Sequence, residues 1–224
     1  MGCSSGPDII QDGLTFCVDA ASVRSYPGTG TICTDLKNGY IGTFQNMDAT
    51  NFSDGALNFD GTNEYISFSD TGLTIGSDYS VFVWAKPNHY TTSPVILFNA
   101  GDVNDNRIFN IDIPNNKTLV GHRYNNGSYW IQTSTDLNNN EWNIVGVTYG
   151  NPSMKLWLNN SVIQTGTINN SPNGPVNDRV WLGRWVGSTA YSYKGSVSRV
   201  AIYNRALTAD EVRQNYLSTK ERFA

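Results

Sequence analysis

The chain has 224 residues, enough for one large domain whose core needs neither a metal nor a disulfide for stability. Only 15% of residues are charged and the net charge is −4, which excludes the basic surface a nucleic-acid partner requires. No run approaches the ~18 apolar residues of a membrane-spanning helix, and Met1-Gly2-Cys3-Ser4-Ser5-Gly6 lacks the segments of a secretory signal.

Apolar segments recur roughly every 8–15 residues between turn clusters, the pattern of an all-β sandwich. The first, Gly13 to Ala20, alternates Leu14, Phe16 and Val18 on one face. Ala56 to Phe59 precedes the turn Asp60-Gly61-Thr62-Asn63, and Tyr65 to Phe68 follows it with Ile66 and Phe68 inward. Ser80 to Ala85 is apolar on both faces, which predicts a central strand ending at Pro87. Val95 to Phe98, Arg107 to Ile113, Thr118 to Arg123 and Tyr129 to Thr133 read as a meander. Trp142 to Tyr149 and Met154 to Asn159 form a hairpin across Gly150-Asn151-Pro152-Ser153, with Met154, Leu156 and Leu158 on one face. Val180 to Gly183 and Val197 to Tyr203 complete the strands. One helix is expected over about Ala209 to Thr219, with Thr208 and Glu211 as its capping box and Leu207 and Val212 as a hydrophobic staple. No linker or internal repeat interrupts the pattern, so residues 1–224 read as a single domain.

The cysteines, Cys3, Cys17 and Cys33, are odd in number and confined to the first 33 residues. They read as free thiols, with a Cys17–Cys33 bridge as the alternative. Two histidines and no CxxC pair leave no zinc site.

Several of these strings resemble one family in sequence and in order. Gly13-Leu14-Thr15-Phe16-Cys17-Val18-Asp19-Ala20 leads to Ser25-Tyr26-Pro27-Gly28-Thr29-Gly30, then Phe59-Asp60-Gly61, Val83-Trp84-Ala85 and Trp142-Asn143-Ile144-Val145. The closing run is Ile202-Tyr203-Asn204-Arg205-Ala206-Leu207-Thr208. Together they resemble the laminin-G-like domains of the concanavalin-A-like lectin/glucanase superfamily, of the kind found in tailed-bacteriophage structural proteins. The resemblance implies an antiparallel two-sheet jelly-roll β-sandwich with one short C-terminal helix. It also implies a virion surface protein, either a capsid decoration or a fibre or tail appendage. Its partners would be other capsid or tail proteins, further copies of itself, or cell-surface glycans, with no membrane insertion. Some relatives bind one structural calcium. Here Asp60, with Asp19 as a second candidate, would supply its oxygens; Ser198 stands where the family often carries an acid. The competing role for Asp60 is an Asx turn with Gly61.

Glycoside hydrolysis needs two flanking carboxylates, which the family's glucanases carry as E-x-D-x-E on one strand. Glu64, Glu141, Glu211 and Glu221 form no such pattern, and there is no G-x-S-x-G elbow, so the sequence predicts no enzyme. A ligand site is expected where aromatics meet loops: Trp130, Tyr129 and Trp185, with Asn126 and Arg184 as polar partners. Glycan binding, a protein contact and plain packing compete for these residues. The resemblance places Trp84 and Trp142 in the core. Alternation puts Trp157 and Trp181 on the second face or the surface. A stand-alone carbohydrate-binding module of a secreted or cell-surface bacterial protein is the alternative function, and a divergent glycosidase the third.

Overall fold

A computed structural model describes residues 8–69, 71–73, 78–88, 95–101, 107–114, 117–124, 127–138, 140–168, 179–185 and 191–222. The first eight strands are β1 (Leu14–Asp19), β2 (Ile32–Thr34), β3 (Ile41–Gln45), β4 (Phe52–Ser53), β5 (Ala56–Asp60), β6 (Tyr65–Ser69), β7 (Asp78–Pro87) and β8 (Ile96–Gly101). They are followed by β9 (Arg107–Asp112), β10 (Lys117–Tyr124), β11 (Gly127–Asp136), β12 (Asn143–Gly150), β13 (Ser153–Leu158), β14 (Ser161–Thr167), β15 (Arg179–Leu182) and β16 (Lys194–Tyr203), then helix α1 (Ala209–Leu217).

These strands make two antiparallel sheets. The front sheet runs β14-β13-β12-β7-β16-β5-β4, with β1 pairing the far half of β16 beyond β5. The back sheet runs β11-β10-β9-β8-β15-β6-β3-β2. Between them lies the main core, to which the front sheet contributes Val81, Val83, Val145, Val147, Leu156 and Val200 and the back sheet Ile66, Phe68, Phe98, Phe109, Ile111 and Leu182. A second cluster forms on the outer side of the front sheet, where Phe82, Trp84, Trp157 and Tyr203 are covered by Leu207, Val212 and Ile9. β7 is therefore buried on both faces, as its sequence predicts, and lies between β12 and β16. Each large side chain buried in this way contributes roughly 1.5–3 kcal/mol.

Helix α1 holds the outer layer in place. Its capping box is formed as expected: Glu211 N donates to Thr208 Oγ1, and Thr208 N donates to Glu211 Oε2 at 2.8 Å. Asn215 accepts from Ile10 N at 2.8 Å and donates to the Tyr203 hydroxyl at 3.0 Å, tying the N-terminal segment to the helix. The helix ends at Leu217 rather than Thr219, because Ser218 is the C-cap and Thr219 turns its hydroxyl back to the Asn215 carbonyl.

Other expectations are corrected by long-range pairing. A register shift against β16 between Leu14 and Phe16 puts Leu14 in the outer cluster with Cys17, while Phe16 and Val18 enter the core. β5 and β6 flank one turn but belong to different sheets, so the turn crosses the sandwich edge. β14 carries no apolar periodicity because it is an exposed edge strand. Trp84 is buried, but in the outer cluster and not between the sheets, with its indole N–H donating to Thr219 Oγ1 at 2.8 Å. Trp142 precedes β12 and is only half-buried. Cys17 and Cys33 are free, and burial pushes each thiol up to about 12.

Candidate functional site

The outer face of the back sheet collects the side chains that the core does not take. Backbone register links Ile32, Thr43, Ser67, Trp181, Asn99, Asn110, Gly121 and Trp130 in one row across all eight strands. Laterally paired residues share a face. The chain neighbours of this row, among them Ile66, Leu182, Phe98, Phe109 and Ile111, point into the core, so the row faces outward.

Composition along the row is unusual for a sheet face. Trp181 is 2% exposed yet belongs to neither hydrophobic cluster, and Arg179 sits over its ring at 6.0 Å. Asn99 beside it is fully buried, and among the described residues neither its amide nitrogen nor its side-chain oxygen has a hydrogen-bond partner. Leaving such a group unpaired costs roughly 1–3 kcal/mol, and native folds leave few of them. Asn110, next along, donates through Nδ2 to Asp112 Oδ1 at 2.6 Å, and both residues are buried. At the far end Trp130 is 64% exposed. Of these groups only the Trp130 indole is open to solvent, while the Asn99, Asn110 and Asp112 side chains lie buried along the same face.

The expected site residues are only partly brought together. Trp130 stands on β11, four strands from β15, a separation of roughly 19 Å. Arg184 lies over the Tyr65 ring at 4.7 Å and donates from Nε to the Trp185 carbonyl at 3.2 Å. Trp185 packs on Tyr191 with ring centroids 5.4 Å apart. Arg184 and Trp185 therefore extend the β6–β15 end of the face and do not meet Trp130. Asn126 and the Tyr129 side chain lie outside the described residues. Asn99, Asn110, Asp112, Trp181 and Arg179, which share the face, are not among the expected site residues. The signal for them is present as polar residues alternating with apolar ones, in Phe98-Asn99-Ala100 and Phe109-Asn110-Ile111-Asp112.

Both metal candidates have partners within the protein itself. Asp60 Oδ1 accepts from Thr62 N at 2.6 Å, which is the Asx turn. Asp19 is gripped by Arg199 and Arg222. Burial alone would raise its carboxyl, but the two guanidinium groups override this and hold it below the usual range. Among the described residues no three His, Cys, Asp or Glu side chains gather in a metal-binding cluster. Ser198 is buried and donates to the Gly55 carbonyl at 3.0 Å.

The glutamates have distinct surroundings. Glu64 accepts from Asp60 N at 2.6 Å and from Asn51 Nδ2 at 2.8 Å, holding the turn between the sheets. Glu211 takes both Arg205 Nη atoms at 2.9 and 2.7 Å, and Arg205 foremost draws its carboxyl down to about 2. Glu221 pairs with Lys220 at 3.4 Å, and Glu141 is exposed and accepts from Asn138 Nδ2 at 2.6 Å. No helix among the described residues is long and apolar enough to cross a membrane.

No curated protein matches the chain. Among solved structures it is similar to domain 4 of AbnA, a GH43 extracellular arabinanase from Geobacillus stearothermophilus solved with arabinotriose. There the identity is 21% and the TM-score 0.63, with 91% of this chain and 98% of that one covered. It is similar to the binding domain of Paraclostridial Mosquitocidal Protein 1, at 16% identity and TM-score 0.70, covering 93% of this chain and 52% of that one. A Trypanosoma rangeli sialidase mutant gives 13% identity and TM-score 0.71, but this chain spans only 35% of it. Identities this low speak for the fold alone. A laminin-G-like family model, described as the concanavalin A-like lectin/glucanases superfamily, matches residues 60–213, and the chain belongs to that superfamily.

Proposed function

We propose that this chain is a non-catalytic carbohydrate-binding domain that takes a glycan along the outer face of the back sheet. The observation that carries the reading is the single row Trp181–Asn99–Asn110–Gly121–Trp130, which joins an exposed indole to a buried, unpartnered amide. The family and the arabinanase domain solved with arabinotriose support it. The domain is carried on a bacteriophage particle as a capsid decoration, fibre or tail appendage. Support for that context is the sequence likeness of Ser25–Gly30 and Tyr203–Thr208 to tailed-phage structural proteins. A second reading is a carbohydrate-binding module of a secreted or cell-surface bacterial protein, favoured by the coverage of 98% of the arabinanase domain.

A glycan array read with the wild-type chain and Trp130→Ala tests the binding. Trp130 is solvent-facing, so its loss leaves the fold intact while weakening the bound glycan at least tenfold. Equal binding of every glycan by both proteins would overturn the back-sheet site. Sedimentation with intact particles decides the location, and recovery only from soluble lysate would count against the virion. Release of reducing sugar from the bound glycan would contradict the non-catalytic reading.

A further inference from the structure

A different face carries a second recess. Two clefts, of about 340 and 610 Å³, open on the outer side of the front sheet and share Trp142 as a wall. Both volumes fall in the range of small-ligand sites, roughly 300–1,000 Å³. The smaller cleft lies between Trp142, Asn159 and the C-terminal segment at Tyr216. The larger is bounded by Glu141, Asn140, Asp54 and Lys86.

The rim is rigid. Asp54, Asn140 and Asn159 hold left-handed backbone at φ 51°, 59° and 58°. Asp54 and Asn159 do so in the tight turns that join β4 to β5 and β13 to β14. Asn140 N donates to the Pro87 carbonyl at 2.7 Å, and Asn143 Nδ2 donates to the Glu141 carbonyl at 2.8 Å, which fixes the loop carrying Trp142.

Its charges are balanced in number: Lys86 and Arg222 line the larger cleft with Asp54 and Glu141, and Lys220 lines the smaller one with Glu221, to which it pairs at 3.4 Å. Among the described lining residues cations and acids are equal in number, which favours no net charge on the ligand, and an indole face flanked by amides and a carboxylate suits uncharged hydroxyls. We infer that Trp142 is the platform of a second carbohydrate site, on the opposite side of the sandwich from the first, which takes a neutral oligosaccharide across both clefts. It stands independently of the back-sheet reading.

The test is a printed glycan array carrying neutral and acidic glycans, read with wild type, Trp130→Ala, Trp142→Ala and Glu141→Gln, each checked for an unchanged thermal midpoint. The expected result is a set of neutral glycans still bound by Trp130→Ala, bound at least tenfold more weakly by Trp142→Ala and several-fold more weakly by Glu141→Gln. Should Trp142→Ala unfold, Glu141→Gln on the exposed rim decides, together with the Trp142 indole N–H resonance of the wild type titrated with the best neutral glycan. Signal abolished by Trp130→Ala alone would leave the back-sheet site standing and overturn this one. A front-face signal confined to sulfated or carboxylated glycans overturns it too, and a silent array overturns both sites.

Discussion

Replacing Asp19 by Asn tests the outer layer at its anchor. The Asp19 carboxylate is 7% exposed and is the junction of three parts of the chain, accepting from Arg199 on β16, Arg222 in the C-terminal turn and Ala21 N at 3.2 Å. Arg199 is 14% exposed and lies 5.6 Å over the Trp84 ring, so water cannot replace the lost charge there. Removing one partner of a buried ion pair costs about 3–5 kcal/mol. Arg222 is 31% exposed and recovers part of its hydration, which lowers the expected loss to about 3 kcal/mol. For a chain of this length that is roughly 6–12 °C in the thermal midpoint. The carboxyl titrates below its ordinary value in the folded protein. Its contribution is therefore complete above the unfolded pKa of about 3.9 and fades as pH falls through the folded one. Thermal melts followed by circular dichroism at neutral pH and down to about pH 3 should show the full deficit at neutral pH and a shrinking one in acid. A neutral-pH midpoint within about 1 °C of wild type, a small fraction of the expected loss, would refute the argument.

Two further outcomes follow from packing and burial. Gly146→Ala sets a methyl group into the buried Phe82 ring on the neighbouring strand, and overpacking of that kind should lower the urea-derived stability by about 1–3 kcal/mol. In a Cys3→Ser background, Cys17 and Cys33 should resist an aromatic disulfide reagent at pH 8 and both react in denaturant, because burial keeps each thiol protonated up to about 12.

Much of the fold was legible because local pattern and tertiary demand agree. Val81 to Ala85 is apolar at every position, which only a strand covered on both sides tolerates, and β7 is such a strand. Thr208 and Glu211 reveal the start of α1 because capping is settled within four residues. The misses share a cause, since each depends on distant partners. Nothing in Gly13 to Ala20 announces the bulge that turns Leu14 outward, because the bulge exists only against β16. The Asp60–Asn63 turn is legible as a turn, but not its passage from one sheet to the other, which Glu64 braces by bonding back to Asp60 N and to Asn51. β14 earns its place through backbone pairing to β13 and leaves no mark in its side chains.

The candidate site shows how far alternation along a strand can reach. Parity states which side of a sheet a residue occupies, but whether that side is covered is a property of the assembled fold. Trp157 and Trp84 point away from the inter-sheet core and are still buried, beneath the layer built from Leu207 and Val212. Trp181 and Trp130 share one outward row on the back sheet, yet one is almost wholly buried and the other open to solvent. Proximity to loops picks out Trp130, which is exposed, while the resemblance puts Trp142 in the core, where it is only half-buried. Register supplies the missing relation: Asn99 matters because Trp181 and Asn110 lie beside it on adjoining strands, an arrangement set by pairings between residues 11 to more than 80 positions apart. The chemistry of such a face is written across strands, and it becomes readable only once the sheet is formed.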